Sequence, residues 1–222
     1  PDNAVIIKTI VTSELGRVIA SSYGVKTIDT LTGFKFIGEK IKEFEESAAY
    51  SFILGYEESY GYLAGTFVRD KDAVIAATLV CEMAAYYKDK GITLYQALNN
   101  IFEKYGYFME DLKSLTLKGK EGNELIIKIM NSLRKDTPKT IGDEKVVEVK
   151  DYKEGIGDLP KSDVLQIITD KNSIISIRPS GTEPKIKTYY SVVDNTKDGS
   201  TKRLQTLIKE FSSVIDSIIA NK

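Results

Sequence analysis

Val5-Ile6-Ile7-Lys8-Thr9-Ile10-Val11 is the run whose reading decides the fold. It is mostly β-branched and apolar without alternation, the pattern of a strand buried on both faces. Such strands belong to parallel sheets with helices on either side. Downstream, Ser13 is placed to cap a helix running to about Tyr23, with Gly24 as its stop. Thr30 to Gly33 reads as a turn. Beyond it Phe34, Ile37, Ile41 and Phe44 recur at three- and four-residue spacing, an amphipathic helix. Ser51 to Leu54 is a short apolar strand that ends in Gly55-Tyr56-Glu57-Glu58-Ser59-Tyr60-Gly61-Tyr62. Asp72 stands at the N-cap of a helix from Ala73 to Lys90, which Gly91 ends. That helix is apolar on most sides, so it is expected to be packed deep, with Cys81 a buried thiol. Thr93-Leu94-Tyr95-Gln96 is a capping box opening a further helix to about Tyr105. Strand and helix in alternation predict a layered α/β domain with a mostly parallel sheet.

The second half has a different rhythm. A helix from Asn123 to Leu133 presents Leu125, Ile126, Ile129, Met130 and Leu133 on one side. Four short strands follow, at Lys145 to Val149, Val164 to Ile168, Ser173 to Ile177 and Ile186 to Val192. The chain closes on a helix carrying Leu204, Leu207, Ile208, Phe211, Val214, Ile215 and Ile218 in near-heptad register. This predicts a small α+β domain with helices on one face of its sheet. Gly and Lys accumulate from Lys118 to Gly122, which places the expected boundary there: residues 1–120 and 121–222.

Composition narrows the function classes. The 31 Lys and Arg against 32 Asp and Glu leave a formal net charge of -1, which removes a global electrostatic case for nucleic acid or an anionic membrane. With no histidine, His-based acid–base and triad chemistry is excluded within this chain. One cysteine permits no disulfide framework. No signal peptide and no run of 18 apolar residues is present, so a soluble cytoplasmic protein is expected. No dense Asp cluster of the kind that holds Mg2+ occurs either. The chain starts at Pro1 and runs almost at once into its first strand, as expected of a piece cut from a longer protein.

Three stretches carry the chemistry. Arg178-Pro179-Ser180-Gly181-Thr182-Glu183-Pro184-Lys185 lies between two strands and is rich in donors. Arg178 offers a planar fork to phosphate oxygens, Ser180 and Thr182 offer hydroxyls, and Gly181 lets the backbone approach an anion. Lys185 and Lys187 add charge and share a strand face. The plain alternative is an ordinary β-turn. Glu57-Glu58-Ser59 stands at a strand end, where ligands bind in open α/β sheets. Carboxylates and a hydroxyl there suit vicinal sugar hydroxyls; the alternative is a solvated turn. Lys71 sits just before a helix start, a poor structural choice against the positive dipole end. Thr30-Leu31-Thr32-Gly33-Phe34-Lys35 is a glycine turn into a helix whose free N–H groups could meet a hydroxyl or phosphate, a weak motif alone.

Together and in this order, these pieces resemble the α-D-phosphohexomutases, the phosphoglucomutase and phosphomannomutase family. The resemblance covers essentially the whole chain and looks like the third and fourth domains of a four-domain enzyme. It implies reversible exchange of phosphate between the 1- and 6-positions of a hexose, through a phosphoserine, Mg2+ and a bisphosphorylated sugar such as glucose 1,6-bisphosphate. It implies that Glu57 and Ser59 grip the sugar O3 and O4, with Thr32 and Gly33 as further substrate contacts. Arg178, Ser180, Gly181, Thr182 and Lys187 would hold the phosphate not being transferred, and Lys71 would touch the substrate near the reacting end. The nucleophile and metal loops of the family are not found here, so the missing N-terminal domains would carry them and this chain alone would not turn over. Some members carry a histidine just after the sugar loop; Gly61-Tyr62 stands there instead and leaves the general base unassigned. Tyr56 and Tyr60 resemble the glucose-type bacterial branch, with phosphomannomutase, phosphopentomutase or a non-catalytic phosphosugar-binding module as alternatives.

Overall fold

The computed structural model describes residues 1–181 and 183–220 and divides the chain into two units, Pro1–Gly106 and Tyr107–Lys222. Unit 1 runs β1 (Ala4–Thr9), α1 (Leu15–Ser22), β2 (Lys26–Thr30), α2 (Phe34–Ser47), β3 (Ser51–Glu57), β4 (Gly61–Ala64), α3 (Ala73–Asp89) and α4 (Leu94–Tyr105). Its sheet has the order β2-β1-β3-β4. β1 lies parallel to β2 and β3, and β4 closes back on β3 as an antiparallel hairpin. As the mostly apolar, non-alternating run predicts, β1 is buried on both faces: Val5, Ile7, Lys8 and Thr9 have no exposure. Val5 and Ile7 pack with Phe34, Ile37, Ile41 and Phe44 of α2, the stripe read from the sequence.

α3 departs from expectation. Its N-cap is as read, with Asp72 Oδ1 accepting the N–H groups of Val74 at 2.7 Å and Ile75 at 3.0 Å. Yet no residue of the helix is buried, Val74 is 78% exposed, and Cys81 is exposed rather than sequestered. An apolar pattern on every side implies depth only if something covers every side. Within unit 1, α3 packs chiefly along β4 and α4. Thr93 and Gln96 form the capping box of α4.

Unit 2 runs β5 (Tyr107–Thr116), α5 (Gly119–Lys135), β6 (Thr140–Ile141), β7 (Glu144–Asp151), β8 (Leu165–Thr169), β9 (Ile174–Pro179), β10 (Lys185–Asp194) and α6 (Lys197–Ala220). Its antiparallel sheet has the order β5-β10-β9-β8-β7-β6. Ile126, Ile129, Met130 and Leu133 of α5 and Leu207, Phe211 and Ile215 of α6 pack into one core with Ile175, Ile177, Ile186 and Tyr190 of the sheet. A buried ion pair pins α6: Arg203 Nε donates to Glu144 Oε1 at 2.9 Å, and Thr169 donates to Glu144 Oε2 at 2.6 Å. The units divide at Gly106 rather than in the Lys118–Gly122 stretch, which opens α5 inside unit 2. β5 explains the difference, because it pairs along its whole length with β10. Among the described residues no helix is long and apolar enough to cross a membrane.

Candidate functional site

One candidate site grows from the carboxyl edge of the unit 1 sheet. Because β1, β2 and β3 run parallel, the residues that follow each strand emerge on one edge. The chain reverses there through a three-residue loop, Glu58 to Tyr60, between the paired residues Glu57 and Gly61. Tyr60 takes the left-handed conformation at φ 63°, a position that favours glycine or asparagine, and is 88% exposed.

Glu57 and Glu58 face different neighbours. Glu57 is 8% exposed, and its Oε1 accepts the Ser59 hydroxyl at 2.9 Å. Lys71 brings its ammonium to 3.9 Å from the same oxygen and lies 5.4 Å from the centre of the Phe34 ring, next to Gly33. Its other carboxylate partner is Asp70, at 3.2 Å. The Lys71 backbone N–H, and then its ammonium, hold the exposed Asp70 carboxyl below its ordinary range. Gly61 makes this convergence possible: a Cβ there would lie 2.5 Å from Lys71 Cδ and 2.7 Å from Glu57 Cγ. The structure therefore gathers Glu57, Ser59, Lys71 and the start of α2. Gly33, at φ 121°, is the uncapped entry to α2. The Thr32 hydroxyl beside it is buried with no hydrogen-bond partner.

Glu58 turns to β1. Its Oε2 lies 3.1 Å from the Thr9 hydroxyl and 3.2 Å from that of Thr12, and these two hydroxyls are 2.7 Å apart. Beneath them Lys8 Nζ donates to the carbonyls of Thr9 at 3.2 Å and Thr12 at 3.0 Å and pairs with Glu14 at 2.7 Å and Asp29 at 3.2 Å. Arg17 ties the same two carboxylates together from outside. Burial alone would raise the Glu14 pKa; the charge and hydrogen bonds of Lys8 and Arg17 outweigh it and leave the carboxyl below its ordinary range. This network is almost silent in the sequence. Its one signal was Lys8, a charged residue inside a strand meant to be buried on both sides.

A separate candidate site lies on unit 2. Arg178 is the penultimate residue of β9 rather than a loop residue, and it stands directly opposite Lys187 on β10. Their side chains share the sheet face that also carries Lys185, away from the helix-covered core of Ile177 and Ile186. The turn is closed by Ser180 N–H donating to the Lys185 carbonyl at 2.8 Å. Lys185 Nζ pairs with Glu183 at 2.9 Å, and this bond, with Lys187 adding charge, draws the exposed Glu183 carboxyl below its ordinary value. Ser180, Gly181, Glu183 and Pro184 line a cleft of about 390 Å³ with Gly119 and Asn123, from the first turns of α5. α5 has no side-chain cap hydrogen bond at its N-cap, Lys118. Thr182, also expected to contact phosphate, lies outside the described residues.

The residues present do not form a shell for Mg2+. Among the described residues no three His, Cys, Asp or Glu side chains converge, and Glu57 and Glu58 already accept hydrogen bonds from Ser59, Thr9 and Thr12.

Known proteins match both halves. Residues 1–105 match a family model described as phosphoglucomutase/phosphomannomutase, alpha/beta/alpha domain III, and residues 130–202 match one described as the C-terminal domain of the same family. A phosphoglucomutase of Staphylococcus haemolyticus is 39% identical over 207 residues, covering 88% of this chain and 37% of that protein. One from Staphylococcus aureus strain bovine RF122 is 37% identical over 214 residues, covering 91% and 38%. Among solved structures, the open form of the exocytosis-sensitive phosphoprotein pp63/parafusin from Paramecium, a phosphoglucomutase, superposes with a TM-score of 0.71 at 20% identity over 96% of this chain and 37% of that one. A phosphoglucomutase/phosphomannomutase family protein from Burkholderia thailandensis gives 0.60 at 16% identity over 99% and 38%. The chain spans little more than a third of the length of these relatives. With two models of one family matched in order, the chain belongs to the phosphoglucomutase/phosphomannomutase family and carries its third and C-terminal domains.

Proposed function

We propose that this chain is the substrate-recognition part of a phosphoglucomutase that interconverts glucose 1-phosphate and glucose 6-phosphate through a bisphosphorylated sugar. The observation that carries the reading is Arg178 set against Lys187 across two paired strands. Like charges directly opposite each other destabilise a sheet. An anion between them reverses the sign, and a phosphate adds charge-assisted bonds worth about 1.5–3 kcal/mol each. Ser180 and Gly181 supply a hydroxyl and a bare backbone in the same turn.

On unit 1, Glu57 and Ser59 act as the hydroxyl readers. Their mutual hydrogen bond already orients both groups, and each retains capacity for a sugar O–H. Lys71, held beside Glu57, is the cationic contact for the substrate. The orphaned Thr32 hydroxyl and the uncapped Gly33 turn are further contacts, because a ligand oxygen would satisfy them. Positioning and charge complementarity make up most of the catalysis of phosphoryl transfer, so a gripping part contributes to rate as well as affinity. The phosphoserine and Mg2+ implied by the family belong, in this reading, to the length of the relatives that this chain does not span.

Glucose is preferred over mannose because the Staphylococcus relatives carry the name phosphoglucomutase. An amide NMR titration with glucose 1-phosphate, mannose 1-phosphate and inorganic phosphate tests the proposal. All three should shift Ser180 and Gly181, and the hexose phosphates alone should shift Ser59, glucose at lower concentration than mannose. Silence of Ser180 and Gly181 to all three at millimolar concentration would reject it.

A further inference from the structure

The carboxylate that neither the phosphate reading nor the hydroxyl reading uses is Glu58. It sits between the two proposed sugar contacts yet is committed to Thr9 and Thr12, residues 49 and 46 positions away. Thr9 is fully buried and Thr12 is 8% exposed, so their hydroxyls have little water to compete for them. Three oxygen–oxygen contacts share two hydroxyl protons: either both go to the carboxylate, or Thr9 and Thr12 relay one to the other and the second on to Glu58. In both arrangements Glu58 acts only as acceptor. The turn that carries the hydroxyls is itself fixed, because Lys8 takes its carbonyls and the Thr12 N–H donates to the Thr9 carbonyl at 3.1 Å.

The hairpin needs such an anchor. Three residues connect β3 to β4, and the last of them, Tyr60, is held in a left-handed conformation that its side chain disfavours. We infer that Glu58 is a positioning residue: it clasps the Thr9–Thr12 turn and so fixes the hairpin that presents Glu57 and Ser59 to a hexose phosphate. The substrate-facing half of this statement rests on the function proposed above. The clasp itself rests on geometry alone.

The test compares the wild-type chain with Glu58→Ala, Glu58→Gln, Thr12→Val and the Glu58→Ala/Thr12→Val double variant. Two quantities are read: amide hydrogen exchange at Ser59, Tyr60 and Gly61, and the affinity for glucose 1-phosphate from the Ser59 amide. Glu58→Ala should speed hairpin exchange about tenfold relative to β1 amides and weaken binding about tenfold. Glu58→Gln should restore both, since its amide oxygen still accepts the hydroxyls. The double variant should lose little beyond Glu58→Ala. Thr12→Val tests the clasp from its more exposed partner, in case the Glu58 variants fold poorly; it should loosen the same three amides. Hairpin exchange unchanged in Glu58→Ala, or Gln behaving like Ala, overturns the clasp. A wild-type Ser59 amide that ignores glucose 1-phosphate overturns the hydroxyl-reading function and the substrate-facing half of the inference together, while the exchange rates still decide the clasp.

Discussion

The Glu57–Gly61 hairpin and the β9–β10 turn are both proposed to bind one class of ligand, yet they are built in opposite ways. In the hairpin every acidic group already has protein partners: Glu57 has Ser59 and Lys71, and Glu58 has Thr9 and Thr12. In the β9–β10 turn two cations oppose each other, and the hydrogen bond recorded for Arg178 is a long one, Nε to the carbonyl of Pro179 at 3.5 Å. The first region is organised by the fold before any ligand arrives. The second is left electrostatically incomplete, and an anion completes it. A residue in the hairpin network should therefore matter to stability, and a residue in the turn should matter to binding.

The largest stability effect expected is at Lys8. Lys8→Met leaves Glu14 and Asp29 without their central cation, and removal of one partner of a buried pair is strongly destabilising. Both carboxylates keep some solvent, so a loss of about 2–3 kcal/mol in urea unfolding is expected. A loss under about 0.5 kcal/mol, the scale of an ordinary surface change, would show that the network is not structural.

Next comes Gly61→Ala. The added carbon meets Lys71 and Glu57 at distances real side chains do not tolerate, so both must shift. Lys71 can swing aside, taking its ammonium away from Glu57, and the buried Glu57 must give as well, so a cost of about 1–2 kcal/mol is expected. Line broadening or a shift of the Lys71 side-chain resonances would report the displacement, and an unmoved Lys71 would contradict it.

The acid limb of unit 1 follows from Glu14. Its carboxyl is depressed below the ordinary value of 4.5 in the folded chain. The stability it contributes is full above that value and is lost as pH falls through the lower, folded one. Unfolding midpoints should therefore drop below about pH 4.5, and Lys8→Met should show a shallower drop because Lys8, which depresses Glu14 together with Arg17, is gone. An equally steep drop in the variant would detach Glu14 from Lys8.

How much of this was legible in the sequence depends on whether a feature is local. The Asp72 cap and the Thr93–Gln96 box are set by neighbours three residues apart, and both were readable. The unbroken run Val5 to Val11 specified a doubly buried strand whatever surrounds it. β5 was not readable: Glu110, Asp111, Lys113 and Ser114 give an edge strand a polar pattern that looks like a loop, and the expected domain boundary moved with it. α3 shows the converse error, because periodicity reports which sides are apolar and not what covers them. The Thr9–Thr12–Glu58 contacts join residues more than 40 positions apart and become visible only once β1 and β3 are neighbours. The opposition of Arg178 and Lys187 needed the strand register, although the cluster of cations was plain in the sequence.

The smallest stability effect is expected at Arg178, and it leads to the most direct test. Arg178→Ala removes a partly buried cation that faces another cation, so unliganded stability should change by no more than about 0.5 kcal/mol in either direction. Thermal unfolding of wild type and Arg178→Ala, each with and without saturating glucose 1-phosphate, separates the two roles. The account predicts equal midpoints without ligand, a ligand-induced rise in the wild type, and loss of that rise in the variant. A variant that melts early without ligand but keeps the full ligand-induced rise would contradict it.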